Sequence, residues 1–198
     1  MLSLAHPPAS PESQIRATVI TALHGQFFLA AVIAPAGVGG DAMMAALDGL
    51  RDFAGRYGAG APPDHAALRS LLGQFGAGLG RSLAPLIDGA SIDEVNKAIG
   101  LLDLTADQIC HIARLYPPGE QRELRRAAHH LCGSISETVK GLEGTLEQAT
   151  SKRPRATGLQ TIRDVVAEAT AGLEADFSIW GERLAVMLEG ERGSPAAP

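Results

Sequence analysis

The chain has 198 residues, 45% of them apolar and 20% charged, with a net charge of −5. That length accommodates one domain with a substantial core or two small helical units, and the composition excludes a generally disordered chain. The negative balance argues against a nucleic-acid binder, whose affinity comes from Lys and Arg neutralising phosphates, and aromatics at 4% leave little material for strands.

Residues 1–10, with Pro7, Pro8 and Ser10, read as a loose tail. Ser10-Pro11-Glu12 is a helix-start signature: a capping side chain, a proline at the first helical position and an acid in the first turn. Ile15, Val19, Leu23, Phe27, Ala30 and Ala34 follow at helical spacing, until Pro35 and the glycines at 37, 39 and 40 end the pattern. A second helix is predicted from about Asp41, burying Met44, Leu47, Leu50, Ala54 and Tyr57 and stopping at Gly58. Past Pro62-Pro63, Asp64 caps a third helix carrying Leu68, Leu71, Leu72 and Phe75. Gly73, Gly76, Gly78 and Gly80 then follow closely. Each interior glycine costs a helix about 1 kcal/mol, so a weak or broken segment is predicted there, up to Pro85.

From Ser91 the signals sharpen. Ser91 with Glu94, and Thr105 with Gln108, have the spacing of two capping boxes, predicting two short helices, the second ending at Pro117-Pro118. A long helix runs from about Glu120 to Ala149, with Leu124, Ala128, Leu131, Ile135, Thr138, Leu142, Leu146 and Ala149 in one stripe. Another starts near Gly158 and carries Leu173, Phe177, Trp180 and Leu184. The short connection between them predicts an antiparallel hairpin with arms about 45 Å long. The fold class is therefore all-α: a four-helix bundle, built from this hairpin and the two shorter helices, with additional N-terminal helices. The expected organisation is a tail over 1–10, a Gly/Ala/Pro-rich helical region over 11–89, a bundle over 90–190 and a disordered tail over 191–198.

Residues 17–36 are largely apolar, follow Arg16 and end in Ala34-Pro35-Ala36, which imitates a signal-peptidase site. A polar, proline-containing lead and the interruption His24-Gly25-Gln26 count against export, and a spanning helix wants about 20 apolar residues. The segment reads as a buried helix of a cytoplasmic protein with no membrane partner. The alternative is export, with cleavage after Ala36.

The stripe on the Glu120 helix fixes where its other side chains point. His129 falls about 130° from the stripe's centre, facing solvent. Arg122, Gly133, Ser136, Lys140 and Gly144 share that outer side. An exposed glycine inside a helix loses stability with no packing in return, so Gly133 and Gly144 suggest close approach by another molecule.

The run Ala128-His129-His130-Leu131-Cys132-Gly133-Ser134 resembles the core of the histidine-phosphotransfer domain of bacterial phosphorelays. The resemblance implies a four-helix bundle in which an exposed histidine takes a phosphoryl group from the aspartyl phosphate of a receiver domain. It makes His129 the phosphoacceptor, Leu131 the core residue behind it, and Gly133 the clearance that lets a receiver close over the ring. The partner-binding face would comprise Arg122, Arg125, Arg126, Gly133 and Ser136. A neutral imidazole nitrogen is nucleophilic near neutral pH, and guanidinium groups suit phosphoryl charge. Where the family usually has a lysine, three residues after the histidine, this chain has Cys132. His130 leaves open which of the two histidines functions. The competing reading is a non-catalytic helical interaction or scaffold protein, with the hairpin as a homo-oligomerisation surface and the histidines inert.

Other constellations are weaker. Cys110 and Cys132, the only cysteines, lack framework spacing and suit a reducing compartment. A zinc set of Cys110, His111, His129, His130 and Cys132 is disfavoured, because their distances from Pro117-Pro118 put them about one helical turn out of register. Val32 to Asp41 outlines a strand and glycine loop, but has neither the dinucleotide fingerprint nor GK[ST]. His24 reads as a buried histidine on an apolar face beside Phe27 and Phe28. No Ser-His-Asp set assembles from spacing alone. No metal and no cofactor are expected.

Overall fold

The computed structural model describes residues 38–59, 61–83, 86, 91–114, 122–150 and 156–190, together with 21, 24, 25, 27, 28 and 30–32. The expected tails, the position after Ala36 and the breaks at Pro35 and Pro117-Pro118 lie outside the described residues. As the composition implies, the architecture is all-α, with no strand among the described residues. Helical positions between Thr21 and Val32 precede α1 (Val38–Gly58), α2 (His65–Leu83), α3 (Ile92–Arg114), α4 (Arg122–Thr150) and α5 (Ala156–Gly190).

Two helix starts follow their local chemistry. The Asp64 carboxylate accepts from the Ala67 backbone N–H at 2.9 Å, opening α2. Ser91 and Glu94 form a reciprocal capping box before α3: Glu94 N donates to Ser91 Oγ at 3.3 Å and Ser91 N to Glu94 Oε2 at 2.7 Å. The Ser91 backbone N–H, and after it the Ser91 hydroxyl donating to Glu94 Oε2 at 2.8 Å, hold the Glu94 carboxyl below its ordinary range.

Thr105 and Gln108 do not start a helix. Thr105 lies buried inside α3 and donates its hydroxyl to the Leu101 carbonyl at 2.7 Å, the back-bonding that satisfies a threonine within a helix. No glycine or proline separates the two expected short helices beyond Gly100, and buried Val95, Ala98, Leu101, Leu102, Ile109 and Ile112 run through as one face. The expected pair is a single helix.

The glycine run is likewise unbroken helix, and Gly39 and Gly40 belong to α1 rather than to a loop. The penalty of interior glycine is offset by contacts that no side chain would permit. A Cβ on Gly76 would lie 2.6 Å from the Leu173 carbonyl oxygen and 2.7 Å from Phe177 Cδ2. One on Gly78 would lie 2.9 Å from the Gly39 carbonyl oxygen, and one on Gly73 would strike Ser178 Oγ. α2 therefore receives α1 on one side and α5 on the other with backbones nearly touching, the principle by which small residues set helix packing distance.

The most extensive interface joins α2 to α5, followed by α1–α2 and α4–α5, then α3–α4. The helices thus pack in the order α1, α2, α5, α4, α3. Helices on either side of residue 90 share one apolar core, and the helix packed on α5 opposite α4 is α2, not one from the C-terminal half. Phe27 reaches the α2–α5 interface, its ring centroid 4.6 Å from Phe75 and 6.0 Å from both Phe177 and Trp180. The Tyr57 hydroxyl on α1 donates to the Leu188 carbonyl near the end of α5 at 3.2 Å. His24 is only half-buried and stacks on exposed Phe28, so it is not a core histidine.

Candidate functional site

The stripe of α4 is buried as its periodicity requires: Leu124, Ala128, Leu131, Ile135, Thr138 and Leu142 all face the core. This turns His129 outward. Arg122, His129, Gly133, Ser136 and Lys140 are exposed, and Arg125 is half-buried. Gly133 and Gly144 have nothing within 4 Å of where a Cβ would stand. Arg126 forms an exposed ion pair with Glu123 one turn away, at 3.1 Å. Such pairs contribute little and exchange partners readily.

The adjacent His130 has a different environment. Its Nδ1 lies 3.4 Å from Asp176 Oδ1 on α5, while Ser134 Oγ donates to Asp176 Oδ2 at 2.6 Å. The Asp176 side chain is 12% exposed against 72% for His130. A largely buried carboxylate is thus held by one hydroxyl and one imidazole. His130 and Asp176 border a pocket of about 210 Å³ whose other lining residues are Glu123, Arg126, Ala127, Ile179 and Arg183.

A serine, a histidine and an aspartate do therefore meet, contrary to the expectation from spacing. The order of contacts is not that of a nucleophilic triad, because Asp176 bridges the other two. The Ser134 proton points to the carboxylate and not to the imidazole, so nothing activates Ser134 as a nucleophile. The arrangement can orient His130, turning Nδ1 inward and presenting Nε2 outward. Sequence periodicity flagged neither Asp176 nor this contact. The available signal was an acid one residue before the buried Phe177, on the inner flank of α5.

The cysteines also meet. Cys110 Sγ on α3 lies 3.5 Å from Cys132 Sγ on α4, and both are half-buried. Counting residues from Pro117-Pro118 placed them out of register. Burial of Leu131 and Ile135 sets how α4 lies on α3, and with it the pairing of the two cysteines. Cys132 Sγ also donates to the Ala106 carbonyl at 3.8 Å. Burial, with the Cys110 hydrogen bond second, pushes the Cys132 thiol up to about 12.

No group of three or more His, Cys, Asp or Glu side chains suited to a metal ion occurs among the described residues. Among them, too, no helix is long and apolar enough to cross a membrane. No protein-family model, curated protein or solved structure matches this chain.

Proposed function

We propose that this chain is a helical signalling adaptor that accepts a phosphoryl group on His129 and docks a receiver-like protein on the outer face of α4. The observation that carries the reading is the exposed imidazole of His129 with open space over Gly133, one turn further along the same helix. A ring nitrogen of neutral His129 would attack the phosphorus of an acyl phosphate. The N–P bond forms as the O–P bond breaks, the carboxylate leaves with the electron pair, and the imidazolium proton passes to solvent. Arg122 and Arg125 lie two turns and one turn before His129, respectively, and supply positive charge toward the incoming phosphoryl group.

A second reading, a non-catalytic interaction protein, is favoured by exposed Ile179 and Val186 on α5, at 49% and 50%. Phosphoramidate, acetyl phosphate and a phosphorylated receiver domain, each incubated with the protein, separate the two. Relay requires an acid-labile, alkali-stable label on the wild type that His129→Gln abolishes and His130→Gln retains. Absence of label from every donor leaves the interaction reading. A label lost in His130→Gln instead moves the acceptor to the ring paired with Asp176.

A further inference from the structure

We propose that Cys110 and Cys132 form a redox-active dithiol that closes to an intramolecular disulfide, joining α3 to α4 beneath the histidine-bearing turn. The two sulfurs face each other across the interface at 3.5 Å. A disulfide needs about 2.05 Å, so closure asks the two sulfurs to approach by about 1.5 Å. Both cysteines are half-buried rather than sealed in the core. Among the described residues no third ligand accompanies them, which disfavours a zinc site and leaves two-sulfur chemistry.

The oxidant is a low-molecular-weight disulfide. Cys132, whose proton points to the Ala106 carbonyl and whose thiolate burial disfavours, acts second. Cys110 as thiolate attacks one sulfur of the donor, forming a mixed disulfide and releasing one donor thiolate. Cys132 then loses its proton and attacks the Cys110 sulfur, expelling the second donor thiolate. The protein loses two protons and two electrons, and the donor disulfide becomes two thiols.

The closed bridge would span residues 110–132 and hold the turn containing His129, three residues before Cys132. This site does not depend on the phosphotransfer reading, because its readout is thiol chemistry alone.

Equilibration of the full chain in oxidised and reduced glutathione, quenched with acid and read by intact mass and non-reducing electrophoresis, tests it. The expected product is a monomer lighter by two hydrogens, with no glutathione attached and no thiol left for maleimide. Its Tm should exceed that of the reduced protein by roughly 5–10 °C and return on adding dithiothreitol. Cys132→Ser should retain the glutathione adduct that the wild type resolves, whereas Cys110→Ser, which lacks the attacking thiol, should take up far less, and neither should show a rise in Tm. Stable glutathione adducts on the wild type, disulfide-linked dimers, or unreacted thiols under fully oxidising conditions would each overturn the proposal. The wild-type mass and Tm decide the matter even where a serine variant fails to fold.

Discussion

Glycines do opposite work in two regions of this molecule. At the α1–α2–α5 interfaces, Gly39, Gly76 and Gly78 stand where any side chain would collide with the backbone of a neighbouring helix. On the outer face of α4, Gly133 and Gly144 have nothing near them. The same residue type thus stands both where helices meet most closely at α2 and where nothing lies nearby on α4. The helix penalty is similar in both places, but only in the first is it offset by burial of apolar surface at close range. Gly55, Gly100 and Gly172 are open in the same way, so what distinguishes the His129 turn is the exposed imidazole beside Gly133.

The comparison breaks most sharply at Gly76. Gly76→Ala should destabilise the protein by about 1–3 kcal/mol in chemical denaturation, since the new methyl group meets a backbone carbonyl that cannot rotate aside. An unchanged midpoint would mean that α2 and α5 are not so closely apposed. The opposite sign is expected at Gly133. Gly133→Ala should stabilise by about 0.5–1 kcal/mol through helix propensity and a stiffer unfolded chain. If the relay reading holds, it should also slow transfer from a phosphorylated receiver while leaving labelling by phosphoramidate intact. Equal loss with both donors would show that clearance for a partner is not the role of Gly133.

A smaller effect sharpens the contrast at the α3–α4 interface. The Cys132 thiol is held up near 12 from an ordinary 9.0, through burial first and then through Cys110 and the nearby Asp107 charge. Its folded-state value is raised, so this contribution is fully present below about pH 9 and is lost as pH climbs toward 12, because the unfolded thiol ionises first. Reduced wild type should therefore lose stability over that window more steeply than Cys132→Ala, as followed by Tm against pH. Parallel curves would remove the thiol from the account.

Local signals were legible where the physics is local. Asp64 and the Ser91–Glu94 box start helices because a capping bond involves residues three apart, and α4 turns His129 outward because a continuous apolar stripe leaves one orientation. Thr105 misled because the same hydroxyl can cap a helix from outside or bond back within it, and the choice depends on whether the flanking apolar face is buried as one surface. The glycines of α2 misled for a related reason: propensity sees the cost of a missing side chain, whereas the compensating contacts come from α1 and α5, far away in sequence.

By itself the sequence determined an all-helical chain, the capped starts of α2 and α3, the inward stripe of α4 and the outward setting of His129, all consequences of interactions within a few residues. Only the tertiary structure decided that α2 lies against α5, that Asp176 meets His130 and Ser134, and that Cys110 faces Cys132. Those contacts depend on the relative sliding and rotation of whole helices, which burial across an interface sets and no single stretch of chain encodes.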